Sequence, residues 1–334
     1  MQNPTILTIV LNYRTPELAF QAAQAALREM EGLGGEIIIV DNDSQDSSYE
    51  RLCNCVVNAG LQTDNRVRVL QSGRNGGFGA GNNFGINAGL SSGDRPDYVY
   101  ILNSDAWPEP GAIQHLRDVL LANPRVGMAG SFVRGPDGDA HQTAFRFPSI
   151  AGEFEMAART GVFSRLLKNS IVALPIPEQE TPVDWVAGAS LMMRRQMLDE
   201  IGQFDETFFL YFEETDLCLR AKRAGWQVHY VPKSEVVHIG SASTGMKLWK
   251  RTPAYWFQSR MYYFSKNHGR FYAGAATAAR IAGAVIWKLR GLVSQKPQAD
   301  PDGFLGDLTR HAFGSAIASA PRTALPQTVI EDRK

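Results

Sequence analysis

Two clusters of acidic residues carry most of the chemistry that can be read from this chain. In "VYILNSDAWPEPGAI", Val99 to Ile113, an apolar run meets Asn103, Ser104 and Asp105 and then breaks into a Trp-Pro-Glu-Pro turn. Asp105 either opens that turn or caps the next helix, or it is a carboxylate delivered by a strand to hold a metal ion. In "LYFEETDLCLRAKRAGW", Glu213, Glu214 and Asp216 lie within four residues, after the aromatic run Phe208 to Phe212. Acidic residues in a first helical turn favour the helix dipole, yet three exceed what a cap needs. Like charges beside aromatic walls raise at least one pKa, which suits a general base. His238 in "EVVHIGSAST" is either a hydrogen-bonded structural residue or, with Asp105, half of a Mg2+ or Mn2+ site completed by phosphate oxygens and water.

The elements that must position these residues follow from hydrophobic patterning. Apolar β-rich runs alternate with helical patterns through "ILTIVLNY", Pro16 to Met30, "EIIIVDN", "SSYERLCNCVVNAG" and "VRVLQS". A Gly-rich loop, a helix to about Leu90, the strand "YVYILNSD" and a helix over "GAIQHLRDVLLANP" continue the series. Such alternation predicts an α/β fold with a mostly parallel sheet flanked by helices, and ligands at the carboxyl ends of its strands. Those ends are polar: Asn12, Tyr13 and Arg14; Asp41, Asn42 and Asp43; Asn103, Ser104 and Asp105. Three polar ends on one edge predict a site for a nucleotide or a charged small ligand.

The loop "GRNGGFGAGNNFGINAG", Gly73 to Gly89, has neither dinucleotide nor P-loop spacing. Its glycines mark a close approach of backbone to a ligand or to a packed neighbour, and Arg74, Asn75 and Asn82 are its polar groups able to reach a base or phosphate. Beyond it, "GMAGSFVRGPDG" predicts a strand entering a hairpin, Pro148 to Pro182 show no clear period, and "VDWVAGASLMMRRQMLDEIGQFDE" predicts a strand followed by a helix. Arg260, Tyr262 and Tyr263 in "QSRMYYF" either pack on an aromatic face or flank a diphosphate.

Composition narrows the classes. Lys plus Arg equal Asp plus Glu at 34 each in 334 residues, so no overall basic field points to nucleic acid. Three cysteines, Cys53, Cys55 and Cys218, form neither a zinc pattern nor a disulfide framework, and a cytoplasmic setting is expected. "TILTIVLNY" reads as a first strand and not a signal peptide. "FYAGAATAARIAGAVIWKLRGLV" is interrupted by Arg280, Lys288 and Arg290, so it reads as an amphipathic helix able to lie on a membrane surface or to pack on the catalytic domain.

Taken in order, "VLNYRTPE", "IIIVDNDSQDSS", "NGGFGAGNNFGI", "YILNSDAWPEPGAI", "VDWVAGASLMMRR", "GQFDETFFLYFEETDLCLRAKRAGW", "HIGSAST" and "SRMYYFSKNHG" resemble the family 2 nucleotide-sugar glycosyltransferases of GT-A fold, in particular bacterial rhamnosyltransferase-like members. The resemblance covers about Thr5 to Gly269 and implies a metal-dependent enzyme using a dTDP or UDP sugar, with dTDP-L-rhamnose the expected donor. It places Asp105 at the last Asp of the family's metal motif, with Asn103 where the first Asp would stand. Asp41 matches the residue that reads the pyrimidine, beside Asn12 and Tyr13. Glu214 stands where relatives carry the Asp that serves as catalytic base, which leaves Glu213 and Asp216 as alternatives. His238 sits in a segment that supplies a metal or phosphate contact, and Trp185 and Gly188 match the acceptor side. The expected acceptor is a glycan or lipid-linked glycan, with peripheral membrane contact. Residues 1–245 are expected to form the catalytic domain, its halves meeting near 130, and 246–334 a basic, aromatic helical extension. A nucleotidyltransferase and an inactive nucleotide-sugar-binding module are the rival readings.

Overall fold

The computed structural model describes residues 4–61, 66–240, 249–294 and 300–317. The first half lays down β1 (Thr5–Asn12), α1 (Pro16–Glu29), β2 (Gly34–Asp41), α2 (Ser48–Asn58), β3 (Val67–Gln71), α3 (Phe78–Ala88), β4 (Tyr98–Asn103), β5 (Ala106–Pro108) and α4 (Ala112–Ala122). These match the alternation expected from the apolar runs. The second half adds β6 (Val126–Arg134), β7 (Ala140–His141), β8 (Ala144–Phe145), α5 (Ile150–Ala158), α6 (Gly161–Leu166), β9 (Thr181–Val183), β10 (Trp185–Val186), β11 (Ser190–Arg194) and α7 (Arg195–Ile201). It closes with α8 (Glu213–Arg223), β12 (Gln227–His238), α9 (Ala254–His268), α10 (Arg270–Ser294) and α11 (Phe304–Ile317).

The main sheet runs β3-β2-β1-β4-β11-β6-β12-β5, with β7 beside β6 and β9 beside β12. The four strands from β3 to β4 are parallel. The sheet is mostly parallel on this side, as expected, and mixed beyond it, where β11 enters antiparallel between β4 and β6. A strand contributed from the second half of the chain needs no crossover helix to pair there.

Alternate residues of the parallel strands feed opposite faces. Ile6, Ile37, Ile39 and Leu102 face α1, α2 and α4, while Leu7, Ile9, Ile38 and Ile101 face the layer containing Ile86 of α3 and Leu217 of α8. Each such side chain, fully removed from water, contributes about 1.5–3 kcal/mol. Strand order reverses beside β1, since the chain steps from β1 outward to β3 and then returns to β4 on the other side. That reversal opens a crevice at the carboxyl ends of β1 and β4.

The stretch without clear period holds two helices. α5 is capped by Ser149, whose Oγ accepts from Gly152 N at 3.0 Å, and α6 by Thr160. Its order comes from packing: a side chain added at Gly283 of α10 would meet Phe154 O at 2.5 Å, so α5 and α10 lie backbone to backbone. Among the described residues no helix is long and apolar enough to cross a membrane.

Candidate active site

The ends of β1 and β2 are locked by one buried network. Asn12 Nδ2 donates to Asp41 Oδ1 at 2.8 Å, and Ser44 Oγ donates to the same oxygen at 2.5 Å. Arg14 N in turn donates to Ser44 Oγ at 3.0 Å, and Arg14 Nε to Ser44 O at 2.9 Å. The Arg14 guanidinium lies 5.2 Å from the centre of the half-buried Tyr13 ring. Arg14 and Asp43 both hold left-handed backbone, at φ 59° and 53°, a conformation that costs non-glycine residues free energy and clusters at functional sites. Thr15 Oγ1 lies 3.1 Å from Ser104 Oγ, so β1 and β4 are bridged at their carboxyl ends. Ser44 and Thr15 were not singled out from sequence. Their signal was a hydroxyl residue just beyond a polar strand end.

Asn42 ties β2 to the Gly-rich loop, donating from Nδ2 to Asn75 Oδ1 and to Gly77 O, both at 3.1 Å. Gly77 has φ +90°, and a Cβ there would stand 1.8 Å from Phe209 O. At this position the glycine answers to a packed neighbour. Arg74 reaches out to pair with Glu206. Asn82 is wholly buried, with its Nδ2 donating to Phe78 O at 2.9 Å and its Oδ1 sealed from solvent without a hydrogen-bond partner.

Asp105 is 4% exposed, and its Oδ1 lies 3.0 Å from His238 Nε2. β5 and β12 bring them together, with His238 opposite Ala106 in register. Asn103 Nδ2 lies 3.3 Å from the same imidazole nitrogen, and the His141 ring on β7 meets that of His238 edge-on at 6.3 Å. A hard carboxylate oxygen and an imidazole nitrogen held together are donor types that would suit Mg2+ or Mn2+. No group of three His, Cys, Asp or Glu side chains able to hold a metal occurs among the described residues.

Glu213 and Glu214 open α8, directly after Tyr211 and Phe212, which both adopt left-handed backbone at φ 69° and 70°. Glu213 is 2% exposed, and the Oε2 atoms of both glutamates are sealed from solvent without a hydrogen-bond partner. Burial raises both carboxyl pKa values, and the neighbouring Glu214 charge pushes Glu213 further, well above the usual 4.5. Glu214 Oε1 accepts from Gly188 N at 3.4 Å. Ala189, next in the chain, accepts from Asn103 N at 3.0 Å. Gly188 and Ala189 therefore connect Glu214 to Asn103 at the end of β4.

Three candidates have other duties. Asp216 is fully buried and receives Arg220 Nε at 2.9 Å, Lys266 Nζ at 2.7 Å and Asn267 Nδ2 at 2.8 Å, which removes it from the base candidates. Arg260 is 1% exposed and donates from Nη2 to buried Glu153 at 2.8 Å, joining α9 to α5. Tyr263 is equally buried, in the aromatic core, whereas Tyr262 donates to Asp205 at 2.9 Å. Trp185 stacks on Phe145 at 4.1 Å and donates to Arg146 O at 2.9 Å, while Gly188 leaves room for the Phe78 ring, 3.0 Å from where its Cβ would lie.

A mixed sheet with a nucleotide-type crevice at β1 and β4 and carboxylates on its rim defines the GT-A class of glycosyltransferases. Two solved structures share the fold: mannosyltransferase PcManGT from Pyrobaculum calidifontis, in complex with GDP-Man and Mn2+ (TM-score 0.54, 14% identity, 95% of this chain and 87% of that one), and GalNAc-T7 with UDP, GalNAc and Mn2+ (TM-score 0.53, 13% identity, 93% and 55%). Residues 4–261 match the model of glycosyltransferase-like family 2, and the chain belongs to that family. It is 33% identical over 217 residues to the N-acetylglucosaminyl-diphospho-decaprenol L-rhamnosyltransferase of Mycobacterium tuberculosis, covering 63% of this chain and 68% of the relative. To rhamnosyltransferase WbbL of Escherichia coli K12 it is 28% identical over 166 residues, 48% of this chain and 60% of that one.

Proposed function

We propose that this enzyme is a metal-dependent, inverting glycosyltransferase that moves L-rhamnose from dTDP-L-rhamnose onto a hydroxyl of a polysaccharide or lipid-linked glycan. The buried Glu213–Glu214 pair, tied through Gly188 and Ala189 to Asn103 at the end of β4, two residues before Asp105, is the observation that carries this reading. The names of the relatives support rhamnose as the sugar and a lipid diphosphate glycan as acceptor class. Residues 1–245 would form the catalytic unit and 246–334 a helical extension.

In this reading the network of Asn12, Asp41 and Ser44 presents a fixed, prepaid set of polar atoms to the pyrimidine. Asp105 and His238 would hold the divalent cation. A bound cation would offset charge developing on the departing diphosphate. Glu213 keeps its proton, because two neighbouring carboxylates sealed from water do not ionise together. Glu214 is then the ionised partner, held toward Gly188, and it takes the proton from the acceptor hydroxyl as that oxygen attacks the anomeric carbon. With one base and one displacement, the product has inverted anomeric configuration.

The test is a thermal-shift titration of wild type and Asp105→Asn with dTDP, UDP and GDP, each with and without Mn2+, followed by product analysis by NMR. Metal-dependent stabilisation by a pyrimidine diphosphate, lost in the variant, together with an inverted linkage, is the expected result. A nucleotide response indifferent to metal and to Asp105, or a retained configuration, sinks the proposal.

A further inference from the structure

Eight large apolar side chains are exposed among the described residues, and six of them lie on α5, α6 and α10. They include Leu166 at 73%, Val162 at 67%, Leu289 at 59% and Phe271 at 99%. On α10 the residues Phe271, Ala275, Ala278, Ala282, Val285 and Leu289 recur at alternating steps of four and three and are all exposed. At 3.6 residues per turn they fall within about 40° of one line along the helix. The opposite face is spent on the protein, with Ala273, Ala276, Arg280 and Ala284 buried.

α6 adjoins the carboxyl-terminal part of this stripe. Phe163 packs edge-on against Phe154 at 4.9 Å, and Gly283 rests against Phe154 O. Arg159, between α5 and α6, lies 6.0 Å from the Trp287 ring, and Arg290 Nη1 reaches Arg159 O at 3.5 Å. α6 is thus tied through α5 and Arg159 to the part of α10 around Gly283, Trp287 and Arg290, and Val162 and Leu166 are exposed on it.

The exposed charged side chains on α6, the segment after it and α10 are basic, Arg165, Lys168, Arg270 and Lys288, while Glu155 beside α6 bonds Ser164 and Asp300 pairs with Arg159. α10 has four basic residues and no acidic one, and no Asp or Glu occurs from Arg159 to Pro177, where Arg165 and Lys168 are exposed. Two copies meeting through this face would bring the exposed Arg165, Lys168, Arg270 and Lys288 of each toward those of the other. An anionic bilayer complements both the apolar stripe and its basic flanks, and a helix of this kind lies in the interface without crossing it.

We propose that α6 and the exposed face of α10 form a membrane-docking surface for anionic phospholipid, seating the enzyme flat on a bilayer. The inference rests on the transferase reading only for its purpose, access to a lipid-linked acceptor. The test is co-sedimentation of the full chain with phosphatidylcholine vesicles, with and without phosphatidylglycerol, for wild type and for Leu166→Glu/Leu289→Glu. Wild type should favour the anionic vesicles, lose part of that binding in high salt, and bind at least about tenfold more tightly than the double variant. The variant should keep the wild-type thermal response to dTDP with Mn2+, which shows it folded. Equal partition of the two proteins, no preference for anionic vesicles, or a wild-type dimer in sedimentation velocity that the variant dissolves would each overturn the proposal. If nucleotide binding fails while vesicle binding holds, the transferase reading falls and the docking surface stands.

Discussion

Replacing Glu214 by Gln tests the chemistry most directly, because Gln keeps the shape and can still accept from Gly188 N at 3.4 Å. Only the capacity to take a proton is removed. A positioned general base contributes about 10²–10⁴-fold in rate, or about 3–5 kcal/mol of barrier. Initial rates of sugar transfer at saturating donor should therefore fall by that factor, with the thermal response to dTDP and Mn2+ unchanged. Glu213→Gln should behave differently: it replaces a protonated carboxyl by a neutral amide and leaves the base in place. Its turnover should stay within about tenfold of wild type, and the acidic limb of its pH–rate profile should stay in place, since one neutral neighbour replaces another. In wild type that limb lies above the ordinary carboxylate range, because burial raises both groups. The pair also bears on stability. Carboxyls whose pKa is raised on folding favour the native state below pH 4.5, and that contribution is lost as pH rises through the folded value. Either Gln variant should then melt higher than wild type at pH 8 and converge with it near pH 4. A Glu214→Gln enzyme retaining more than about a third of wild-type turnover, too little loss for a base, refutes the assignment.

Asp105→Asn should abolish the metal-dependent part of nucleotide stabilisation while leaving the unliganded melting temperature close to wild type, read in the same thermal-shift assay. Gly77→Ala should destabilise by about 2 kcal/mol or more in urea unfolding, since its φ is +90° and its Cβ would meet Phe209 O at 1.8 Å. Arg260→Leu should cost about 3–5 kcal/mol by stranding buried Glu153, with Arg280 3.6 Å away as a partial substitute. Donor affinity of the folded fraction should not change, because Arg260 serves the α5–α9–α10 junction and not the diphosphate.

Much of the frame was legible in the sequence because its signals are local. The runs "TILTIVLN" and "GGEIIIVD" are strands whatever surrounds them, and Pro16 fixes where α1 begins. The strand ends at Asn12, Asp41 and Asp105 were readable for the same reason, since polar residues interrupting apolar runs mark an edge. Whether a charged residue works at that edge or inside the frame was not readable. Asp216 and Glu214 are two positions apart on one helix, yet one is neutralised by Lys266 and Arg220 while the other faces Gly188. Arg260, conspicuous among aromatic residues, is spent on Glu153, 107 positions away in the chain. The sequence alone specified which side chains could hold a metal, accept a proton or face a bilayer. Only the tertiary structure decided which partners surround each of them, because long-range packing sets the neighbours and the dielectric from which a charge takes its role.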